Sequence, residues 1–324
     1  MKKNLCHMKK AICSLFVVLV LLTSVFGIHA QNMFRKVSDF DGDGKADFAI
    51  TRIENGLRYW WIWQTTAGVK VQQWGLASDR PAASDYDGDG KTDIAVWRPN
   101  TTNGNSSTYY ILESQTNTLR HKSFFAFINS VMMHQDYNGD GKTDPGTMTG
   151  EIVITMSVNY SGSESGFEVG LPQQSLGIRV GDMDGDGRAD LSSFTYNGQN
   201  LGNLITIRNL VTNASRTFRF GLLTDQYQMA DFDGDGIGDL TVWRPTDGTW
   251  WWIRSSDGKV QVEQWGKEGD TPVPADYDGD GKTDLAIYRR GSNVSQPSYY
   301  WINGSQSGVR VYQWGASSDL SVTY

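Results

Sequence analysis

The chain has 324 residues, a formal net charge of −7 and two cysteines. The acidic balance comes without a basic stripe, which argues against nucleic acid as a partner. Length and apolar content are enough to bury a sizeable core.

The first thirty residues read as a leader. Lys2, Lys3, Lys9 and Lys10 precede the apolar run Ala11 to Gly27, and Ile28-His29-Ala30 suits signal cleavage. A run of about 17 residues is short for a bilayer span, so residues 1–30 are expected to be a secretory signal peptide. The mature chain is then exported (secreted, periplasmic or at the cell surface), with no membrane span. Both cysteines, Cys6 and Cys13, fall in the leader. An exported chain without disulfides needs another form of cross-link or a large core.

The next feature is a nine-residue acidic motif, D-x-D-G-D-G-x-x-D, found six times. The copies begin at Asp39, Asp85, Asp136, Asp182, Asp231 and Asp276, at intervals of 46, 51, 46, 49 and 45 residues. A period of this length in strand-rich sequence predicts a β-propeller with one repeat per blade. Each repeat offers four short strands. Strand A precedes the loop (Phe34–Ser38), strand B follows it (Phe48–Arg52), strand C is aromatic (Tyr59–Trp63), and strand D ends in Trp-Gly or its equivalent, as at Trp74-Gly75. The expected fold is therefore all-β: a six-bladed propeller of four-stranded blades over residues 31–324, with one calcium loop per blade and almost no helix. The tail, Asp319–Tyr324, aligns with another strand A and is expected to lie next to blade 1 as part of the ring closure.

The blades differ in composition. All twelve tryptophans fall in repeats 1, 2, 5 and 6, one continuous arc of a closed ring. Repeat 3 departs furthest, with Asn138 at an acidic position and Pro145 directly after the motif.

Hard divalent cations take oxygen ligands, and calcium takes six to eight with tolerance for irregular geometry. Positions 1, 3, 5 and 9 of each loop supply side-chain oxygens, and position 7 can supply its backbone carbonyl. The candidate ligands are Asp39, Asp41, Asp43, Lys45 and Asp47 in the first loop, and Asp85, Asp87, Asp89, Lys91 and Asp93 in the second. The third offers Asp136, Asn138, Asp140, Lys142 and Asp144; the fourth Asp182, Asp184, Asp186, Arg188 and Asp190. The fifth offers Asp231, Asp233, Asp235, Ile237 and Asp239; the sixth Asp276, Asp278, Asp280, Lys282 and Asp284. The implied cofactor is calcium, up to six ions, with the third site weakest. No Cys or His set points to zinc or copper. An EF-hand is excluded, because position 12 is Ile50 in the first copy and Val96 in the second where that loop needs a bidentate Glu.

These loops resemble the FG-GAP/VCBS repeat of integrin α subunits, calcium-containing lectins and many exported bacterial proteins. The resemblance covers essentially residues 34–318. It implies calcium bound between the first two strands of each blade, although propellers of that family often have seven blades. Ligands there range from cell-surface proteins to sugars, so the resemblance does not fix one.

Two further groups are candidates for ligand binding. Arg52, Arg98, Arg244 and Arg289 each lie five residues after a loop's last Asp and could hold an anionic ligand such as a uronate; the alternative is a structural Arg packed on an aromatic ring. Trp97 and Trp243 precede two of them. The aromatic runs at Trp60–Trp63, Trp250–Trp252 and Tyr299–Trp301 could stack on sugars or fill the wedge between blades. Nothing resembles a nucleophile elbow, a zinc-protease helix or a phosphate loop. The expected function is a binding or adhesion module for carbohydrate or a surface protein, monomeric, with no catalytic residue assigned. A polysaccharide lyase or hydrolase and a purely structural repeat protein are the alternatives.

Overall fold

The structure, a computed structural model, describes residues 37–99, 106–125, 130–149, 153–160, 163–170, 175–196 and 202–322. The expected signal peptide and most of the Phe34–Ser38 segment lie outside them.

The described residues form six four-stranded antiparallel sheets. The first contains β1 (Phe48–Glu54), β2 (Leu57–Gln64) and β3 (Gly68–Leu76). The second holds β4 (Arg80–Pro81), β5 (Ile94–Arg98), β6 (Ser106–Leu112) and β7 (Leu119–Phe125); the third β8 (Val131–Gln135), β9 (Asp144–Thr149), β10 (Val153–Tyr160) and β11 (Ser163–Gly170). The fourth holds β12 (Ser175–Gly181), β13 (Asp190–Tyr196), β14 (Asn203–Arg208) and β15 (Ser215–Arg219); the fifth β16 (Gln226–Ala230), β17 (Asp239–Arg244), β18 (Thr249–Ile253) and β19 (Val260–Gln264). The sixth runs β20 (Thr271–Pro272), β21 (Leu285–Arg289), β22 (Pro297–Gly304) and β23 (Gly308–Ala316), and β24 (Leu320–Ser321) follows. The fold is an all-β propeller of four-stranded blades, with no helix among the described residues.

Strand chemistry explains why these segments stand where they do. Strand B is buried on both faces: Phe48, Ala49, Ile50 and Thr51 are all buried, as are Ile94 to Trp97. Strand C alternates strictly, half-buried and buried, along Leu57–Gln64 and Pro297–Gly304. Strands that face neighbouring blades on both sides must be apolar on both, which is the pattern read from β1 and β5. The core is accordingly a set of clusters between sheets. One joins Phe48 and Ile50 of the first sheet to Tyr288, Tyr300 and Ile302 of the last. Another joins Trp60 and Ile62 to Ile94 and Val96.

One expected strand is replaced. The position beside β1 is occupied by β24, with Ile50 opposite Ser321 and Thr51 opposite Leu320. Val37 and Ser38, the described end of the expected Phe34–Ser38 strand, form a turn. Val322 N–H donates to the Ala49 carbonyl at 3.0 Å and extends this closure. The C-terminal tail therefore completes the first sheet rather than standing beside it.

Tryptophan side chains bolt the blades of the aromatic arc. The indole of Trp74 donates to the Tyr110 carbonyl of the next sheet at 2.9 Å. Trp265 donates to the carbonyl of Trp301, and Trp314 to that of Trp61, at 3.2 and 3.3 Å. Each is the Trp of a Trp-Gly pair reaching the strand C that follows. The aromatic runs thus fill the wedges and supply the accepting carbonyls of these bonds, while the indole N–H groups of Trp61, Trp251, Trp252 and Trp301 are buried without a hydrogen-bond partner among the described residues.

Candidate metal loops and an inter-blade cleft

The six acidic loops share one backbone design. The first Asp accepts from the N–H groups at positions 4 and 6: Asp39 from Gly42 and Gly44, at 2.6 and 2.9 Å. Both glycines have φ near +80°, where a β-carbon is unfavourable. The last Asp turns back on the loop and accepts from the N–H at position 2, as Asp47 does from Phe40 at 2.8 Å. Its other oxygen takes an N–H from the hairpin between strands C and D: Thr65 for Asp47, Ser114 for Asp93, Ser255 for Asp239 and Ser305 for Asp284. Position 3 is held by the same hairpin, with Thr66 on Asp41 and Ser256 on Asp233.

The loops also bond to one another in a closed circle. The N–H at position 8 of each loop donates to the carbonyl at position 1 of the loop before it. Thr92 bonds to Asp39, Thr143 to Asp85, Ala189 to Asp136, Gly238 to Asp182 and Thr283 to Asp231, and Ala46 closes the circle onto Asp276. All six distances lie between 2.6 and 2.8 Å.

Electrostatically, each loop is a carboxylate cage whose own position-7 cation, where it has one, lies over the preceding loop. Burial pushes Asp47, Asp93, Asp144, Asp190, Asp239 and Asp284 up to about 7, aided by the neighbouring loop carboxylates. Asp231 is pushed up to about 6, again mainly by burial. Burial also acts upward on Asp41, but hydrogen bonds from Thr66 and Ala67 outweigh it and hold the group low.

Five groups of three carboxylates bring one oxygen each within 4.8 Å of one another and could hold a metal ion. They are Asp39, Asp41 and Asp43; Asp85, Asp87 and Asp93; Asp182, Asp184 and Asp190; Asp231, Asp233 and Asp239; and Asp276, Asp278 and Asp284. The donor chemistry fits a hard cation: the Oδ1 atoms of Asp41, Asp233 and Asp278 are buried and unpartnered. Orphaned buried oxygens are costly, and a cation is the natural partner. The third loop forms no such group among the described residues. There the Asn138 amide donates to Asp140 at 3.2 Å, satisfying a carboxylate internally. Position 5 falls outside four of the five groups. Asp89, Asp235 and Asp280 instead bind Ser114, Ser255 and Ser305 of the hairpin. Asp186 binds Asn209.

The arginines named from the sequence have structural work. Arg52, Arg98, Arg244 and Arg289 each make paired hydrogen bonds, 2.7–3.0 Å, to Asp319, Asp79, Asp225 and Asp270. Each guanidinium also covers a ring: Trp61, Tyr110, Trp251 and Trp301, at 4.4–5.3 Å. The Asp partners are buried and also accept from the N–H of Leu76, Leu222, Lys267 and Ala316 in the turn after each Trp-Gly or Phe-Gly. The anionic ligand foreseen for these arginines is thus replaced by an internal carboxylate. Trp97 and Trp243 are also corrected: both are completely buried and have no face to offer a ligand. The missed partners do leave a signal, because Gly-x-x-x-Asp recurs at Gly75–Asp79, Gly221–Asp225, Gly266–Asp270 and Gly315–Asp319.

Besides a hollow of about 290 Å³ beside Phe220, Arg244 and Trp251, two concave features stand out among the described residues. A channel cavity of about 350 Å³ is lined by the inner strands, including Met132, Ile178, Arg179, Gln228 and Met229. His134 borders it. Burial pushes this imidazole down to about 4, so it is neutral at pH 7 and packs near Tyr86 and Tyr109 as a structural side chain. The second is a cleft of about 210 Å³ between the last blade and the first, lined by Lys45, Phe48, Trp63, Thr65, Tyr277, Ile302, Ser307, Arg310 and Tyr312. Trp63 and Tyr312 meet edge to face there, with centroids 5.8 Å apart, and both are only partly buried.

The fold and its loops define a β-propeller whose blades carry acidic loops. The profile of the FG-GAP-like repeat matches residues 39–96 and 231–287, and the chain contains FG-GAP-like repeats. No curated protein matches the chain. Among solved structures, a triple Arg-to-Ala variant of AofleA from Arthrobotrys oligospora is similar, with a TM-score of 0.52 and 8% identity over 90% of each chain. Aleuria aurantia lectin (AAL), an Asn-to-Gln variant in complex with alpha-methyl-L-fucoside, is similar with a TM-score of 0.45 and 9% identity, over 83% of this chain and 95% of that one. At these identities the first likeness speaks to the fold alone. Among the described residues no helix is long and apolar enough to cross a membrane.

Proposed function

We propose that the protein is an exported, calcium-loaded six-bladed propeller that binds carbohydrate in the cleft between its last and first blades. The observation that carries this reading is the wall of Trp63 and Tyr312 over Phe48 and Tyr277, flanked by the hydroxyls of Thr65 and Ser307. Sugar rings present an apolar face and a polar edge. An aromatic surface rimmed by accepting hydroxyl oxygens and cationic donors matches both.

Calcium is the preferred ion because the cages are all oxygen and irregular, and exported proteins meet it at about millimolar levels. It supports the cleft directly. Thr65 and Ser307 belong to hairpins tied to loop carboxylates: Thr65 to Asp43 and Asp47, Ser307 to Asp278. Loading the loops therefore fixes the hairpins that form the rim. The same reading makes the protein a monomeric binding module without turnover.

A glycan array probed with calcium-loaded protein tests the proposal. Binding is expected for the native chain, at least tenfold weaker for Trp63→Ala, and absent in EDTA. Unaltered binding by a folded Trp63→Ala variant would move the site elsewhere.

A further inference from the structure

The cleft carries two cations as well as its aromatic wall. Lys45, position 7 of the first loop, lies over Gly279 of the sixth loop. Arg310 stands on β23 opposite Ile302 of β22. Among the described residues neither meets a carboxylate at ion-pair distance.

The same two positions are basic at the next boundary. Lys91, position 7 of the second loop, lies over Gly42 of the first. Lys70 stands on β3 opposite Ile62 of β2. Neither lysine has a carboxylate partner among the described residues.

Beyond these two boundaries the pattern fades. Lys142 covers Gly88, but its counterpart Arg120 faces Glu113 at 3.7 Å. Gln261 replaces the strand cation opposite Trp252, and Ile237 replaces the loop cation that would accompany Arg216. The loop cation itself recurs, with Arg188 over Gly139 and Lys282 over Gly234. Among the described residues, only the two adjacent boundaries pair it with a strand cation that has no carboxylate partner.

We propose that the aromatic cleft and the basic surface at the next boundary together hold an anionic polysaccharide, a sugar chain bearing carboxylate or sulfate groups. The proposal rests on the carbohydrate reading and names the class of sugar. The aromatic cleft seats one ring, with Lys45 and Arg310 at its charged edge. The neighbouring boundary has Leu112, Ile94 and Gln72 at the positions equivalent to Trp63, Phe48 and Tyr312 of the cleft. It offers charge without a stacking wall, and so holds the acidic groups of following residues. Two tethered contacts act by effective concentration, so a chain long enough to reach both binds far better than a short one.

The test uses the full calcium-loaded chain and titration calorimetry. Its probes are oligogalacturonates of three and twelve units, dextran sulfate, and neutral dextran. The twelve-unit chain is expected to bind about 10²-fold or more above the trimer, and to weaken as salt rises. A Lys45→Gln, Arg310→Gln variant should lose at least tenfold for every acidic probe. Lys70→Gln with Lys91→Gln should keep trimer affinity and lose the advantage of length. All variants are checked for an unchanged melting midpoint in calcium. The uronate and sulfate probes show which acidic group is preferred.

Folded variants that bind the long chain as the native protein does would overturn the proposal. Equal affinity for dextran, or for single-stranded DNA of similar charge, would overturn it too. Binding of neutral glycans alone, lost in Trp63→Ala, would refute the acidic class and leave the carbohydrate reading standing. No glycan binding of any kind would sink both.

Discussion

Stripping metal from the loops should change both the size and the sign of the protein's pH dependence. Extracellular calcium modules bind at about 10⁻⁴ to 10⁻³ M. At about 1 mM calcium, linkage then gives roughly 0.4–1.4 kcal/mol per site. For the five carboxylate groups, acting independently, the sum is about 2–7 kcal/mol. With an unfolding entropy near 2.1 cal/mol/K per residue, EDTA at pH 7.5 should lower the melting midpoint by about 3–12 °C. The pH arm follows from the last carboxylate of each loop. Burial raises Asp47, Asp93, Asp144, Asp190, Asp239 and Asp284 from 3.8 to about 7. The metal-free folded state therefore holds more protons than the unfolded chain between about pH 4 and 7, and their stabilising effect is lost as pH rises through 7. In EDTA the protein should become more stable as pH falls from 8 to 5. In calcium it should become less stable over the same range, because protons compete with the ion. Thermal melts by circular dichroism at four pH values, with and without EDTA, give both curves. Parallel curves, or a midpoint indifferent to EDTA at pH 7.5, would refute the reasoning.

Three further outcomes can be checked on the same protein. Asn138→Asp restores the acidic side chain in the third loop and should raise the calcorimetric calcium stoichiometry by one; an unchanged count would mean that the third loop fails for another reason. Asp319→Ala removes the partner of Arg52 and the cap on the Ala316 N–H. Because Arg52 still reaches water, the expected cost is about 1–3 kcal/mol rather than the full price of a stranded buried charge, read by urea unfolding. Trp74→Phe keeps a six-membered aromatic ring but deletes the pyrrole half of the indole and with it the bond to Tyr110. It should cost about 1 kcal/mol or more, whereas a midpoint unchanged within error would show that the inter-blade bond does not stabilise the fold.

The loops were legible because their chemistry is local. Nine consecutive residues contain the donors, the glycines and most of the acceptors, so the motif at Asp85–Asp93 reads as a loop without knowledge of its neighbours. Strands B and C were equally plain in Phe48–Arg52 and Tyr59–Trp63, where burial on both faces leaves an apolar imprint. What lay hidden depended on residues far apart in the chain. Arg52 and Asp319 are 267 positions apart, and nothing local to Arg52 says that its charge is already matched. Trp97 and Trp243 looked available because a tryptophan's exposure is decided by the adjoining blade. The inner strand of the first sheet was assigned to Phe34–Ser38 by analogy with the repeats that follow it. Ring closure uses Leu320–Ser321 there, as the tail's own alignment with strand A indicates.

That closure also sets an order of events during biosynthesis. β1 pairs with β2 soon after both are made, but its other edge stays open until Leu320 and Ser321 emerge about 270 residues later. Through that interval the nascent chain exposes a strand edge beside Ile50 and Ala49, an invitation to pair with other chains. On the export and calcium loading proposed above, such a chain gains from staying unfolded until it meets the ion. The metal would then act as a timer, letting the loops harden only once Leu320–Ser321 is available to seal the first sheet.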